Sequence, residues 1–154
     1  MTKQLTLVGI MLGALAMPAM AARNGDRDRS PEAITRRSIH RIQRVTARSV
    51  RTMRRHARRC AMEITQLLEN EESDRAAEVA DRCIGGINRV AERGGEMIRI
   101  VVDRAVSVLR ELEAPVELAE AVENAGRRGS GAIREHRAGA IQVVEEALAG
   151  SPPE

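Results

Sequence analysis

Two cysteines, three histidines and an arginine-rich segment are the parts of this 154-residue chain whose residue types could do chemistry. Thiolates and imidazoles ligate metals, imidazole also transfers protons, and guanidinium groups bind phosphates and carboxylates. The chain contains no Phe, Trp or Tyr. Aromatic platforms on which bases or sugars could stack are therefore excluded.

The two cysteines, Cys60 and Cys83, are predicted to form a structural disulfide. They are too far apart in sequence for the Cys-x-x-Cys motif of redox enzymes. We find no third ligand at a matching height that would turn the pair into a metal site. The disulfide would stabilise the fold by about 3.5 kcal/mol if loop-closure entropy dominates.

The remaining candidate residues do not form a recognisable catalytic or metal-binding motif. No two of His40, His56 and His136 lie three or four residues apart, which is the spacing that places two ligands on one helix face. Ser130 lacks the flanking residues of a nucleophile elbow, and residues 126–131 lack the Lys-Ser/Thr ending of a phosphate-binding loop. We therefore predict no catalytic residue, no metal, no cofactor and no enzymatic activity. The enzymatic alternative is a cleft, assembled only by tertiary folding, that gathers His56, His136 and acidic side chains.

An arginine-rich face is the most unusual feature of the chain. Between Ile34 and Cys60 there are ten Arg and neither Asp nor Glu. From Ala61 to the C-terminus, 19 acidic residues outnumber 11 Arg, so the charge is strongly polarised along the chain. Seven of the ten Arg recur at helical spacing, in two adjacent columns on the side of the helix away from its apolar stripe. They are Arg37, Arg41, Arg44, Arg48, Arg51, Arg55 and Arg58.

Two interpretations of this face remain open. It is either a solvated surface, whose flanking Arg pair with acids on neighbouring helices for at most about 1 kcal/mol per pair, or a linear binding site for a polyanion. Lipid headgroups and acidic glycans are the polyanions we expect, because guanidinium groups bind phosphate and carboxylate arrays. Specific DNA readout is not expected, since no known DNA-binding motif is present.

Long helices are the elements that must position these residues, because no segment alternates with the period of a strand. The Ser-Pro-Glu sequence of residues 30–32 is a helix start, with Ser as N-cap. The first helix is expected to end before a turn at residues 70–73, where Ser73 and Asp74 can cap the second helix. The second helix is expected to run to about Leu112.

The predicted fold class is all-α, an antiparallel three-helix bundle. Apolar residues repeat every seven positions, as in coiled coils. If the chain reverses near residue 71, facing residues have numbers with a constant sum, and the Cys60–Cys83 pair has the same sum as the apolar pair Ile64 and Val79. The cysteines and the apolar columns thus favour one register for a helical hairpin. The third helix is expected to pack on the second.

The third helix is expected to begin at Pro115 and to end at Ala149 and Gly150. Glycines occur inside the second helix at residues 85–86 and 94–95, and inside the third at residues 126–131. These glycines either let backbones approach closely or mark a break. Residues 126–131 are the strongest candidate for a break.

Residues 1–21 are predicted to be a signal peptide. They combine a positive start, an apolar run too short to span a bilayer and small residues at the cleavage position. The remaining chain would comprise a flexible charged leader at residues 22–30, a helical domain at residues 31–150 and a disordered tail at residues 151–154. The mature protein is therefore expected to be exported, to the periplasm or the medium, without a transmembrane segment.

Two non-enzymatic functions are compatible with these features. The preferred hypothesis is a cell-envelope protein that binds an anionic partner through its arginine-rich face. The alternative is a structural or chaperone-like bundle that binds proteins through apolar surface, and this alternative predicts a homodimer.

Overall fold

The computed structural model describes residues 30–150, and every regular element in that range is an α-helix. Helix α1 spans Pro31–Glu69, α2 spans Ser73–Glu111 and α3 spans Val116–Leu148. Each helix packs against the other two, which confirms the predicted three-helix bundle. The two longer helices have 39 residues each, or a length of roughly 58 Å. The predicted signal peptide, the tail and all of the leader except Ser30 lie outside the described residues.

Helix α1 begins where the sequence predicts. Ser30 is the N-cap, and its side-chain oxygen accepts a hydrogen bond from the backbone N–H of Ala33 at 3.2 Å. Pro31 lies in the first turn, where its missing N–H would have no intrahelical partner. Glu32 places a negative charge at the positive end of the helix dipole.

Helices α1 and α2 both end in a Schellman motif whose left-handed residue is a glutamate. These residues are Glu71, with φ of 61°, and Glu113, with φ of 48°. In the first turn, the backbone N–H of Glu72 donates to the carbonyl oxygen of Leu67 at 2.9 Å, and that of Glu71 donates to Leu68 at 3.0 Å. The terminal carbonyls of α1 are thereby satisfied within the reversal itself.

The tight reversal changes which residue caps α2. Glu72 is the N-cap, and it makes no side-chain capping hydrogen bond. Ser73 is already the first helical residue and Asp74 lies in the first turn. The predicted cap by Ser73 and Asp74 is therefore wrong. The Schellman motif is closed by the N–H of Glu72, so the next residue, Ser73, is already helical.

The predicted register of the hairpin is confirmed by contacts along the α1–α2 seam. Cys60 and Cys83 are joined by a disulfide, with their Cα atoms 6.2 Å apart. One turn away, the ring of His56 lies directly against Gly86. Two turns further along α1, the hydroxyl of Ser49 lies against Gly94, where an added Cβ would be only 2.5 Å from that oxygen. The sums of the residue numbers in these pairs differ by one at most.

Helix α3 is continuous through residues 126–131, so the break considered there is not present. Gly126 and Gly129 are buried where α3 crosses its neighbours. An added Cβ on Gly126 would meet Val102 of α2 at 2.6 Å, and one on Gly129 would meet Thr46 Oγ1 of α1 at 2.7 Å. Close backbone approach therefore accounts for two of the glycines that weaken the helix by about 1 kcal/mol each.

Helix α3 contacts α1 as well as α2, so the helices form a triangle in cross-section. The expected packing of α3 on α2 is confirmed, and α3 contacts α1 in addition. Because small residues lie on both α1 and α3, these two helices can also approach each other. The core of the triangle is filled by aliphatic residues that are fully buried, among them Met53, Ile87, Ile98, Val122 and Val144.

Candidate functional site

The disulfide has a histidine beside it that sequence reasoning missed. Nε2 of His56 lies 3.9 Å from Sγ of Cys60, and its distance to the Cys83 sulfur is within 4.8 Å. The expectation that no further ligand lies at this height is therefore wrong. The four-residue spacing of His56 and Cys60 was the available signal, because residues at that spacing share a helix face. Metal ligation requires thiolates, and both sulfurs are bonded to each other, so the observed role of the pair is structural.

We use the term arginine stripe for the seven Arg at helical spacing on α1. All seven side chains are exposed. The stripe extends over roughly 30 Å of helix, because its members recur every three or four residues. They are Arg37, Arg41, Arg44, Arg48, Arg51, Arg55 and Arg58.

Carboxylate partners for the stripe are scarce within residues 30–150. The ion pairs found there join Arg75 to Glu72 and Arg99 to Glu96 and Asp103. None of these residues is on α1. Arg37 donates from Nε to the carbonyl oxygen of Ala33 at 3.2 Å. The other six members of the stripe form no ion pair with a described carboxylate.

The Arg that flank the stripe also lack the ion pairs that the solvated-surface interpretation expects within residues 30–150. Arg54 Nη2 lies 3.3 Å from Nδ1 of His136 on α3. Since a guanidinium can only donate, this contact requires Nδ1 to accept, with the ring proton on Nε2. Within the described residues, Arg36 and Arg59 form no ion pair with an acid on another helix. Apart from Arg37, the Arg between Ile34 and Cys60 thus form no ion pair with a carboxylate of residues 30–150.

An open groove of about 570 Å³ runs between α1 and α3, and we call it the α1–α3 groove. Its floor consists of small and aliphatic residues, Ala57 and Ala61 from α1 with Gly139, Ala140 and Val143 from α3. Its rim carries Arg54, Arg58, Met62 and His136. The sequence does not reveal this groove, because it depends on how α3 lies against α1.

Gly139 differs from the glycines at the helix crossings. No atom lies within 4 Å of the position its Cβ would occupy, whereas a Cβ on Gly126 or Gly129 would collide with a neighbouring helix. A glycine in a helix costs about 1 kcal/mol relative to alanine. At Gly139 helix packing does not explain that cost, since the residue is exposed at the edge of the groove.

The two histidines of the enzymatic alternative lie on different sides of α1. His56 is against Gly86 on the α2 side, whereas His136 meets Arg54 on the α3 side. Neither makes a hydrogen bond or ion pair with a carboxylate of residues 30–150. The described structure does not bring these groups together.

Two side chains on α2, Glu96 and Arg99, have shifted pKa values, and neither belongs to the arginine stripe. A hydrogen bond from Arg99 lowers the pKa of the Glu96 carboxyl, and the positive charge of Arg99 acts in the same direction. The same contact raises the pKa of Arg99, with Asp103 contributing. Both groups are on the surface, so this cluster has the character of a solvated ion pair.

Comparison with known proteins leaves the chain without a detected relative. It matches no protein family, and neither a curated protein nor a solved structure is detectably similar to it. Within residues 30–150, no helix combines the length and the apolar character needed to cross a bilayer.

Proposed function

We propose that this protein is a non-enzymatic, exported helical protein that binds an anionic partner through the arginine stripe. One observation carries the proposal: six exposed Arg in a row have no ion pair with a described carboxylate, although acids are plentiful on the rest of the chain. In the solvated-surface interpretation the flanking Arg would pair with acids on neighbouring helices, and within residues 30–150 Arg36, Arg54 and Arg59 form no such pair. A binding surface for a polyanion accounts better for the arginine stripe.

Energetics support a role for the stripe outside folding. Like charges three or four residues apart on a helix each destabilise it by about 0.2–0.5 kcal/mol. The stripe contains several such pairs in succession, for example Arg44 with Arg48 and Arg51 with Arg55. The fold gains no described ion pair in exchange. A bound polyanion would remove this repulsion and add charge-assisted hydrogen bonds.

The ligand class follows from the chemistry of the guanidinium group. Its planar, two-pronged donor matches phosphate and carboxylate oxygens. An array of such groups spaced along a linear stripe is found in acidic glycans and on the surface of anionic membranes. Base-specific recognition of nucleic acid is not proposed, because the chain has no aromatic residue and no known base-reading motif.

Export is part of the proposal, and the disulfide supports it. The Cys60–Cys83 bond links α1 to α2, and such structural disulfides persist mainly in oxidising compartments outside the cytoplasm. The segment that would direct export, residues 1–21, lies outside the described structure. Periplasmic and fully secreted locations are equally compatible with the disulfide.

A charge-matched experiment tests the proposal. Arg44, Arg48, Arg51 and Arg55 are replaced by Gln, and elution from immobilised heparin is measured against salt concentration. The control replaces four exposed Arg of α2 and α3 by Gln, namely Arg82, Arg93, Arg104 and Arg134. The stripe variant should elute at much lower salt than the control, with unchanged circular dichroism. Equal elution of the two variants would show that only net charge matters and would refute the stripe.

The second candidate function is a chaperone-like bundle, and exposed apolar side chains favour it. Leu112 and Val116 are 48% and 63% exposed at the α2–α3 turn, and Ile100 is 46% exposed on α2. This function predicts suppression of client aggregation that persists at high salt, and a homodimer in light scattering. Binding that salt abolishes would instead support the arginine stripe.

A further inference from the structure

The α1–α3 groove combines an apolar lining with a cationic rim. Its deepest residues, Ala57, Ala61 and Ala140, belong to the buried core. Its accessible apolar carbon comes from Met62 of α1, which is 67% exposed, and from half-buried Val143 of α3. An alkyl chain lying in the groove would therefore contact aliphatic carbon on both helices.

The rim of the groove is cationic. Arg54 and Arg58 lie one turn apart on α1 and line the same groove, with His136 facing them from α3. No carboxylate belongs to the lining among residues 30–150. An anionic head placed beside these guanidinium groups could therefore receive charge-assisted hydrogen bonds with no lining carboxylate competing, and Arg54 has further N–H groups besides the one that contacts His136.

Gly139 leaves its part of the groove lining without a side chain. It is exposed and no atom lies within 4 Å of its Cβ position, so a large side chain there has room beside the groove. Gly95 and Gly131 also have open surroundings, but neither lines the groove. Gly139 is thus the exposed position at which a larger side chain would narrow the groove without meeting a neighbouring helix.

We propose that the α1–α3 groove binds a single-chain anionic amphiphile, with its alkyl chain against Met62 and Val143 and its head at Arg54 and Arg58. This inference deepens the proposed function, because Arg58 belongs to the arginine stripe. The carboxylate of a fatty acid and the phosphate of an alkyl phosphate share the required chemistry, and the experiment separates them.

The test follows the methyl groups of methionine in the purified full-length chain by NMR. Met62 reports on the groove, buried Met53 reports on the core and Met97 reports on the far surface of α2. Decanoate, decyl phosphate and uncharged 1-decanol are added below the concentrations at which they form micelles. We expect the Met62 signal to shift while those of Met53 and Met97 stay. Decanoate or decyl phosphate should bind at least about tenfold more tightly than 1-decanol.

Chain length gives an independent measure of the apolar contact. From hexanoate through octanoate to decanoate, affinity should rise by up to about fourfold per methylene buried. A flat series would show that only charge is recognised and would overturn the groove assignment. Whichever of decanoate and decyl phosphate binds more tightly identifies the head group.

Two variants with a matched control locate the site. Gly139→Leu should abolish binding of all three ligands while leaving circular dichroism and heparin elution unchanged. Arg54→Gln with Arg58→Gln should reduce decanoate affinity to that of 1-decanol, whereas Arg93→Gln with Arg104→Gln on α2 should leave it unchanged. Three outcomes would each overturn the proposal. Decanoate binding could survive Gly139→Leu, the Met97 signal alone could shift on binding, or decanoate and 1-decanol could bind with equal affinity.

Failure of this proposal can be told apart from failure of the proposed function. If decanoate does not bind but the stripe still governs heparin elution, the groove assignment alone is wrong. If decanoate binds at Met62 and the stripe has no effect on heparin elution, the stripe function is wrong and the groove stands.

Discussion

The two sides of α1 show how one helix can be closed on one face and open on another. Towards α2, the seam is stapled by Cys60–Cys83 and filled by His56 and Ser49 pressed against glycines. Towards α3, Thr46 meets Gly129 closely, but further along the contact opens into the α1–α3 groove. The difference shows that glycines occur in two settings in this fold: Gly86, Gly94 and Gly129 admit a neighbouring helix, whereas Gly139 meets no neighbour.

The largest expected effect comes from removing the staple on the closed side. Reduction of the disulfide, or replacement of Cys60 and Cys83 by Ser, should lower the free energy of unfolding by about 3.5 kcal/mol. The reason is that the unfolded chain regains the freedom of the loop that the bond closes. Guanidinium unfolding of the oxidised protein, the reduced protein and the double variant measures this. Unfolding midpoints that coincide would mean that apolar packing alone holds the α1–α2 seam.

The next effect tests whether glycine on the closed side is required by contact. Gly94→Ala should destabilise the fold by about 1–3 kcal/mol, because its Cβ would lie 2.5 Å from Ser49 Oγ and 2.9 Å from Ile133 Cδ1. Gly95→Ala is the matched control on the same helix, where nothing lies within 4 Å. It should stabilise by about 1 kcal/mol through helix propensity. Thermal unfolding of both variants measures the difference, and effects of the same sign would contradict the close approach.

A double variant sharpens that prediction. Ser49→Ala removes the oxygen nearest to the added methyl group, so part of the cost of Gly94→Ala should disappear in its presence. The double-mutant cycle should give a favourable coupling of about 0.5 kcal/mol or more. Strict additivity would indicate that Ile133, not Ser49, meets the methyl group.

The open side predicts the opposite sign for the same substitution. Gly139→Ala should stabilise the protein by about 1 kcal/mol, because its Cβ meets no atom within 4 Å and alanine favours the helix. Differential scanning calorimetry measures the shift of the unfolding temperature. Destabilisation would show that α3 lies closer to α1 at this height than the groove implies.

A smaller change in stability is expected from substitution in the turn that joins α1 and α2. Glu71→Gly should stabilise by about 0.5–1 kcal/mol, because Glu71 has a φ of 61°, in the left-handed region that glycine adopts without steric cost. Glu113→Gly, at the other Schellman motif, should act in the same direction. Urea unfolding tests both, and a loss of stability in either variant would argue against the left-handed residue.

The smallest effect concerns the ion pair on α2. Because Arg99 lowers the pKa of Glu96, the carboxylate contributes stability above its unfolded pKa, and this contribution is lost as the pH falls through its folded pKa. In Arg99→Gln, Glu96 should titrate at a higher pH. Carbon-13 NMR of the carboxyl group measures this, and an unchanged titration would exclude the pair as the cause.

The comparison of the two sides also separates what local pattern predicts from what it does not. The α1 start at Ser30 and the hairpin register are confirmed, because a cap, a short reversal and a cysteine pair are local or pairwise constraints. The predicted cap of α2 is wrong, and of the two interpretations of residues 126–131 the structure shows the close backbone approach. The polar turn residues and the glycines each permit two structures, and only the packed environment selects one of them.

The candidate site divides in the same way. Exposure of the arginine stripe could be predicted, since helical spacing alone places its members opposite the apolar stripe. Its role in anion binding stays a prediction. The contact between Arg54 and His136 could not be foreseen, because it depends on the axial position of α3 relative to α1.

By itself, the sequence determined the helices, the pairing of α1 with α2 and the polarised charge, because periodicity and a short connection leave one arrangement with apolar residues facing each other. Only the tertiary structure decided where α3 lies, which glycines contact a neighbouring helix and which face open space. That outcome depends on three surfaces meeting at once, and a small shift of α3 would close the groove while leaving every local pattern intact.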